Sequence, residues 1–320
     1  MIGHLAMRAP QSSRFFIFSL SSLLLLTLAA CGGGGEKESV VPTVSSANAR
    51  PAGTLGTGEG NGTFGQKLLI TINGGALDNG ITVLSNACSG VTRLTAAPTE
   101  SNATTAYYEC TVTRSGAQSA VVLRDISNFV LSTVPFTVPT PQVAMTVGDG
   151  ARSLGSFTLT LNPNLAPVTV VNFMEYVRSG FFIDTIFHRY VPGFVIQGGG
   201  FAAPLDPSNP NPTTKDGARP PIVLEDASGL ANLQWTVAMA RTNDFNSATS
   251  QFFVNLVNNP NLDRSPTRRG FAVFGNVSAG TEVITAMTQA PCVNYPALQL
   301  TGATCLPLPN LRITAATQVR

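Results

Sequence analysis

Between Phe187 and Phe201 the chain reads Phe-His-Arg-Tyr-Val-Pro-Gly-Phe-Val-Ile-Gln-Gly-Gly-Gly-Phe. One Arg, one His and one Gln stand among apolar residues and glycines, with no acid in the stretch. That set is poorly equipped for hydrolysis. It suits a surface that holds an apolar peptide while one fixed donor touches the peptide backbone. Two further stretches supply similar residues. One is Met239-Ala240-Arg241 followed by Ser247-Ala248-Thr249-Ser250-Gln251-Phe252-Phe253-Val254-Asn255; the other is Gly270-Phe271-Ala272-Val273-Phe274-Gly275. Other chemistries lack their parts. No Gly-x-Ser-x-Gly elbow accompanies His188 for a Ser-His-Asp triad, which leaves His188 a structural residue. No Lys-Ser/Thr follows Gly198-Gly199-Gly200 to make a phosphate loop. No Cys-x-x-Cys occurs, and His188 is the one His after the first thirty residues, so a zinc site is not expected.

In this order the three blocks closely resemble the signature segments of the cyclophilin family of peptidyl-prolyl cis/trans isomerases. The resemblance covers residues 141–320. It implies a mainly β fold, a closed eight-stranded antiparallel barrel capped by two helices, with no cofactor. It also implies roles. Arg189 and Gln197 would be catalytic, Gln197 binding substrate backbone and orienting Arg189. Phe194, Val195, Phe253 and Leu262 would hold the proline ring. Ala240 and Arg241 would line the peptide groove, with Gln251 beneath it and Phe271 on its wall. Three positions depart from relatives. Val195 stands where many carry Met, and Phe271 where animal forms carry His and bacterial forms an aromatic residue. Asn261 replaces the Trp or Phe found beside Leu262. The rim is thus less aromatic, which bears on cyclosporin affinity first and on activity second.

The chemistry implied is rotation about an X–Pro bond. Amide resonance sets a barrier of about 18–20 kcal/mol, so uncatalysed exchange takes tens of seconds or more. Twisting destroys the resonance and returns a lone pair to the proline nitrogen. A donor aimed there helps the transition state alone, and such help raises turnover where uniform binding does not. A guanidinium, charged at every useful pH, is suited to it. One charge-assisted hydrogen bond, about 1.5–3 kcal/mol, supplies one to two powers of ten. A fixed electrostatic environment and a dry pocket must supply the rest. The alternative is a weakly active chaperone or assembly scaffold on the same fold, at the outer membrane.

The elements that must position these residues are partly legible. Phe157 to Leu161 alternates as a half-buried strand. Pro167 suits the start of a helix, and Val170, Phe173, Met174 and Val177 give it one apolar face. Arg178 falls in its last turn and Gly180 ends it. The Pro/Asn/Asp stretch over residues 204–221 carries no periodic signal. Before a boundary at Pro139-Thr140-Pro141, residues 63–139 read as a small β-sandwich. Leu68 to Ile72 and Ile81 to Leu84 are strands around an Asp78-Asn79-Gly80 turn. Tyr108, Cys110 and Val112 share one strand face, and Val121 to Leu123 and Phe129 to Leu131 follow. Tyr108, two before Cys110, is similar to the immunoglobulin tyrosine corner. The Cys88–Cys110 spacing is too short for that fold's inter-sheet bridge and the segment has no Trp, so the immunoglobulin comparison is an analogy.

Residues 1–30 read as a lipoprotein signal rather than fold. Arg8 and Arg14 precede an apolar run that ends in Leu28-Ala29-Ala30-Cys31. The segment resembles a bacterial lipobox, in which Cys31 would become the lipidated first residue. Gly32, not being Asp, favours by the same resemblance the periplasmic side of the outer membrane over the inner one. Residues 31–62, rich in Gly, Ser, Pro, Thr and Ala, read as a flexible tether with an r.m.s. span of about 30 Å. The sequence holds 19 Lys+Arg and 17 Asp+Glu, and setting Arg8 and Arg14 aside leaves 17 against 17. No basic patch suggests nucleic acid. The expected partners are proline-containing unfolded or exported polypeptides, and the expected state is a monomer. With Cys31 lipidated, four Cys remain in an oxidising compartment, where three pairings are possible. Proximity favours Cys88–Cys110 and Cys292–Cys305.

Overall fold

A computed structural model describes residues 40–52, 62–78, 80–96, 98–125 and 127–320. The signal segment, Cys31 and much of the tether lie outside the described residues. Residues 43–51, expected within the tether, instead form a strand, β1 (Thr43–Pro51), antiparallel to β2 (Lys67–Gly75). Composition misleads here: small and polar residues give little strand signal, but the free edge of β2 supplies a ladder that satisfies their backbone.

The N-terminal sandwich continues with β3 (Ile81–Leu84), β4 (Cys88–Arg93), β5 (Thr105–Val112), β6 (Gly116–Arg124) and β7 (Phe129–Val138). One sheet has the order β1-β2-β5-β4 and the other β3-β6-β7. That is the strand order of the seven-stranded constant-type immunoglobulin sandwich, so the topology is closer to that fold than the analogy allowed. The bridge differs. Cys88–Cys110 joins neighbouring strands β4 and β5 within one sheet. A hydrogen bond links the sheets instead, the Tyr108 hydroxyl donating to the Ile81 carbonyl at 2.8 Å. Alternation along β5 buries Ala106, Tyr108, Cys110 and Val112.

The second half is a closed antiparallel barrel. Its strands are β8 (Gln142–Gly148), β9 (Ser153–Leu161), β10 (Thr185–Val191), β11 (Val195–Ala202), β12 (Thr236–Met239), β13 (Phe252–Asn255) and β14 (Val273–Ala279). After a short ribbon of β15 (Cys292–Val293) and β16 (Leu306–Pro307), β17 (Leu311–Gln318) closes it in the order β10-β11-β13-β12-β14-β9-β8-β17. Two helices pack on it, α1 (Pro167–Arg178) and α2 (Thr281–Met287). α1 begins at its proline, carries Arg178 in its last turn and is followed by Gly180 at φ 70°. It buries Val170, Phe173, Met174 and Val177. Phe173 meets Phe252 edge-on at 5.5 Å, a contact of the kind that adds about 0.5–1.5 kcal/mol to area burial.

At residues 139–141 a short connection leads from β7 of the sandwich to β8 of the barrel. The described residues from 41 onward form one compact unit, and buried apolar residues of sandwich and barrel make one continuous cluster. Arg178 spans the join. Its Nη2 donates to the Phe64 carbonyl at 2.7 Å and to Gln318 Oε1 at 3.0 Å. Gly65 lies so close to that guanidinium that a Cβ there would collide with it. Asn164 and Ser115 exchange two more hydrogen bonds across the same join.

Candidate active site

The barrel wall between β11, β13, β12 and β14 is apolar on both faces. Alternation assigns consecutive residues to opposite sides. Ile196, Phe252, Val237 and Phe274 enter the barrel core. Val195, Phe253, Ala238 and Val273 form a separate outer cluster, with Phe194, Ala240, Leu262 and Phe271 packed against it. This cluster floors a cleft of about 260 Å³ lined by Arg189, Phe194, Val195, Gln197, Ala240, Arg241, Phe253, Leu262 and Phe271. Of the ten residues assigned from sequence to catalysis and peptide binding, Gln251 alone is absent from that lining.

Gln251 sits directly behind. Gln197 Nε2 donates to Gln251 Oε1 at 2.9 Å, and Arg189 Nη1 donates to Gln197 Oε1 at 3.4 Å. The register Arg189↔Gln197 and Gln197↔Phe253 stacks donor, amide and ring across three adjacent strands. Gly200 makes this possible, since a Cβ there would run into the Gln251 side chain. Burial pushes the Arg189 guanidinium pKa down, yet no carboxylate among the described residues pairs with it. Arg241 differs. It stacks 4.5 Å from the Phe271 ring centroid and donates to the carbonyls of Thr242, Arg269 and Gly270. It lines the cleft as a brace rather than as a free donor. Phe271 in turn meets Phe253 edge-on at 5.7 Å.

His188, next to Arg189, is 4% exposed and packs edge-on against Phe201 at 4.7 Å. Burial, aided by the Arg189 charge and opposed by a backbone hydrogen bond at Ile186, pushes its pKa down to about 4. It is therefore neutral across the physiological range. Among the described residues no cluster of His, Cys, Asp and Glu could hold a metal.

The family model for cyclophilin type peptidyl-prolyl cis-trans isomerase/CLD matches residues 143–317. The chain belongs to the cyclophilins. It is 40% identical over 168 residues to peptidyl-prolyl cis-trans isomerase A of Dickeya dadantii, covering 52% of this chain and 84% of that one. An Acinetobacter baylyi peptidyl-prolyl cis-trans isomerase is 40% identical over 153 residues, 48% of this chain and 77% of its own. Peptidyl-prolyl cis-trans isomerase B of Escherichia coli is 42% identical over 133 residues, 41% and 76%. The matched residues begin in β8, so the family assignment concerns the barrel.

Two supports of this cyclophilin cleft were not legible in the sequence. The first is Asp226, whose side chain is 1% exposed. It accepts from Arg269 Nε and Nη2 at 2.8 Å each, from Arg264 Nη1 at 3.1 Å and from the Gly270 amide at 2.8 Å. Those bonds pin the loop that carries Phe271. The second is a buried amide chain. Asn232 donates to Asp263, Asn255 to Asn232, and Asn259 to both Asn255 and the Phe194 carbonyl. It joins Phe194 to the 3-10 turn Pro260–Leu262, so two sides of the cleft hang on it.

Burial alone would raise the Asp226 pKa; the bonds from Arg269 and Gly270 and the neighbouring charges overcome this and hold it at about 2. An unfolded Asp titrates at about 3.9. The folded value is the lower, so this contribution is complete above about pH 5 and is lost as pH falls toward 2, on the order of 2 kcal/mol. Urea unfolding of Asp226→Asn should show lower stability at pH 7 and a shallower loss between pH 5 and 2. Wild-type stability at pH 7 would rule out the pinning role.

Proposed function

We propose that this cyclophilin turns X–Pro bonds of exported polypeptides by aiming Arg189 at the proline nitrogen as the amide twists. One observation carries the reading. Arg189 is a half-buried cation with no acid partner among the described residues, facing an apolar cleft and oriented by the Gln251–Gln197 relay. The ring would rest on Phe253 between Phe194, Val195 and Leu262, with Gln197 binding substrate backbone and Ala240, Arg241 and Phe271 forming the groove wall. In this setting the guanidinium spends nothing on the planar ground state, whose nitrogen has no free lone pair, and bonds as the lone pair appears. No proton moves in the step.

The proposed setting is the periplasmic side of the outer membrane, with the protein anchored through lipid on Cys31 and acting as a monomer. The lipobox-like segment supports it, and two disulfides suit an oxidising compartment. The role of the sandwich would be to present the cleft to chains in transit.

Arg189→Ala should leave far-ultraviolet circular dichroism unchanged and lower turnover in a protease-coupled X–Pro peptide assay by about 10²–10³-fold. A loss below threefold would remove Arg189 from the mechanism.

Neither Arg189 nor the two glutamines change charge between pH 6 and 8, and His188 stays neutral there. Turnover on an uncharged peptide should be flat across that window and nearly independent of ionic strength. A bell-shaped profile would instead require acid–base catalysis.

Cys31→Ser protein should leave the outer-membrane fraction for the soluble periplasm, or stall uncleaved, since stable anchoring takes more than one acyl chain. Its retention in that fraction after a salt wash would contradict the anchor.

A further inference from the structure

The strand that carries Arg189 is held differently along its two edges. On one edge β10 pairs with β11 at Arg189↔Gln197, Tyr190↔Ile196 and Val191↔Val195. On the other, β17 reaches only Ile186 and Phe187. From His188 onward the barrel offers that edge no strand. Cys305 takes the place. The Tyr190 amide donates to the Cys305 carbonyl at 2.8 Å, and the Cys305 amide donates to the Tyr190 carbonyl at 3.0 Å. In an antiparallel ladder each residue turns both backbone groups to one side and its neighbour turns them to the other. Tyr190 is thus fastened outward while Arg189 is fastened toward β11.

Cys305 belongs to an excursion between α2 and β17, closed by the Cys292–Cys305 disulfide. Within it β15 and β16 pair through Cys292↔Pro307 and Val293↔Leu306. Tyr295, Leu300 and Leu306 form a small apolar cluster with Ile186 of β10 and Phe201 of β11. The excursion is therefore built onto the outside of the two strands that bear Arg189 and Gln197. Phe194, Val195, Phe253 and Leu262, the residues proposed to hold the proline ring, belong to a different cluster.

We infer that the segment stapled by Cys292–Cys305 positions Arg189, closing the open edge of β10 and so fixing where the guanidinium meets the twisted amide. The inference rests on the Arg189 role proposed above. It makes turnover, rather than ring binding, depend on the staple. Opening the bridge with an added dithiol transfers two electrons and two protons, leaving thiols at Cys292 and Cys305 and the reagent as its cyclic disulfide.

The test compares the oxidised protein, the dithiol-reduced protein with thiols counted by mass spectrometry, Cys292→Ser/Cys305→Ser, and Cys88→Ser/Cys110→Ser. Arg189→Ala runs in parallel. Reduction should lower kcat about tenfold with KM within about twofold, inside the 10²-fold that misplacement by about 1 Å can cost. Cys292→Ser/Cys305→Ser should show the same loss without dithiol and none further with it. Cys88→Ser/Cys110→Ser should keep full turnover until dithiol is added. If the first double variant does not fold, the reduced Cys88→Ser/Cys110→Ser protein carries the comparison. Unchanged kcat after verified reduction, or kcat and KM failing together with loss of near-ultraviolet dichroism, overturns the inference. If Arg189→Ala loses turnover and the reduced protein does not, this inference alone falls; if Arg189→Ala keeps turnover, both fall.

Discussion

A cation held half out of water, with no carboxylate among the described residues beside it, is the constraint around which the cleft is organised. Removing a charge from solvent is costly unless dipoles replace the lost hydration. An acid would lower that cost, but it would also occupy the donors and cancel the field. The other arginines near the cleft show what that looks like. Arg264 and Arg269 share the one carboxylate of Asp226, and Arg241 is consumed by three carbonyls and a ring face. Arg189 has a neutral amide, Gln197, as its side-chain partner. That amide is oriented by Gln251, which gives the relay a direction: carbonyl oxygen toward the cation, NH₂ toward the second amide.

The wall that bears this relay has no polar face to advertise it. Phe252 and Phe253 are chemically identical neighbours, yet one fills the barrel and the other floors the cleft. Period-two patterning cannot separate two apolar faces, so the site was legible through the order of its three blocks and not through hydropathy. Its supports were less legible still. Asp226 meets its partners across 38 to 44 residues of chain, and a lone acid in a loop carries no local mark of that. Asn232, Asn255 and Asn259 likewise carry no local mark of the fold that buries them together. Gly200 read as part of a glycine run, whereas its missing side chain is what admits Gln251.

In the N-terminal half the strong β-branched runs were readable and the weak ones were not. β1 owes its strand state to pairing with β2 rather than to its own residues, a case of tertiary context overriding propensity. The in-sheet placement of Cys88–Cys110 hid the topology. A short Cys–Cys spacing argues against a bridge between sheets, but not against the strand order itself. Tyr108 stands two places before Cys110, and its hydroxyl ties the two sheets, though from β5 rather than from the strand where immunoglobulin domains carry the corner.

The continuous core has a consequence for how such a protein can change over time. Where two modules share buried surface, neither can be exchanged as a cassette. An exchanged barrel would have to keep an arginine that answers the Phe64 carbonyl, and an exchanged sandwich would have to leave the room that Gly65 leaves for it. Residues 64 and 65 are therefore tied to residues 178 and 318, more than a hundred positions away, and drift at one end is tolerated only as far as the other can follow. The sandwich is thus built into the same buried core as the barrel that carries the cleft, rather than attached to it as an accessory.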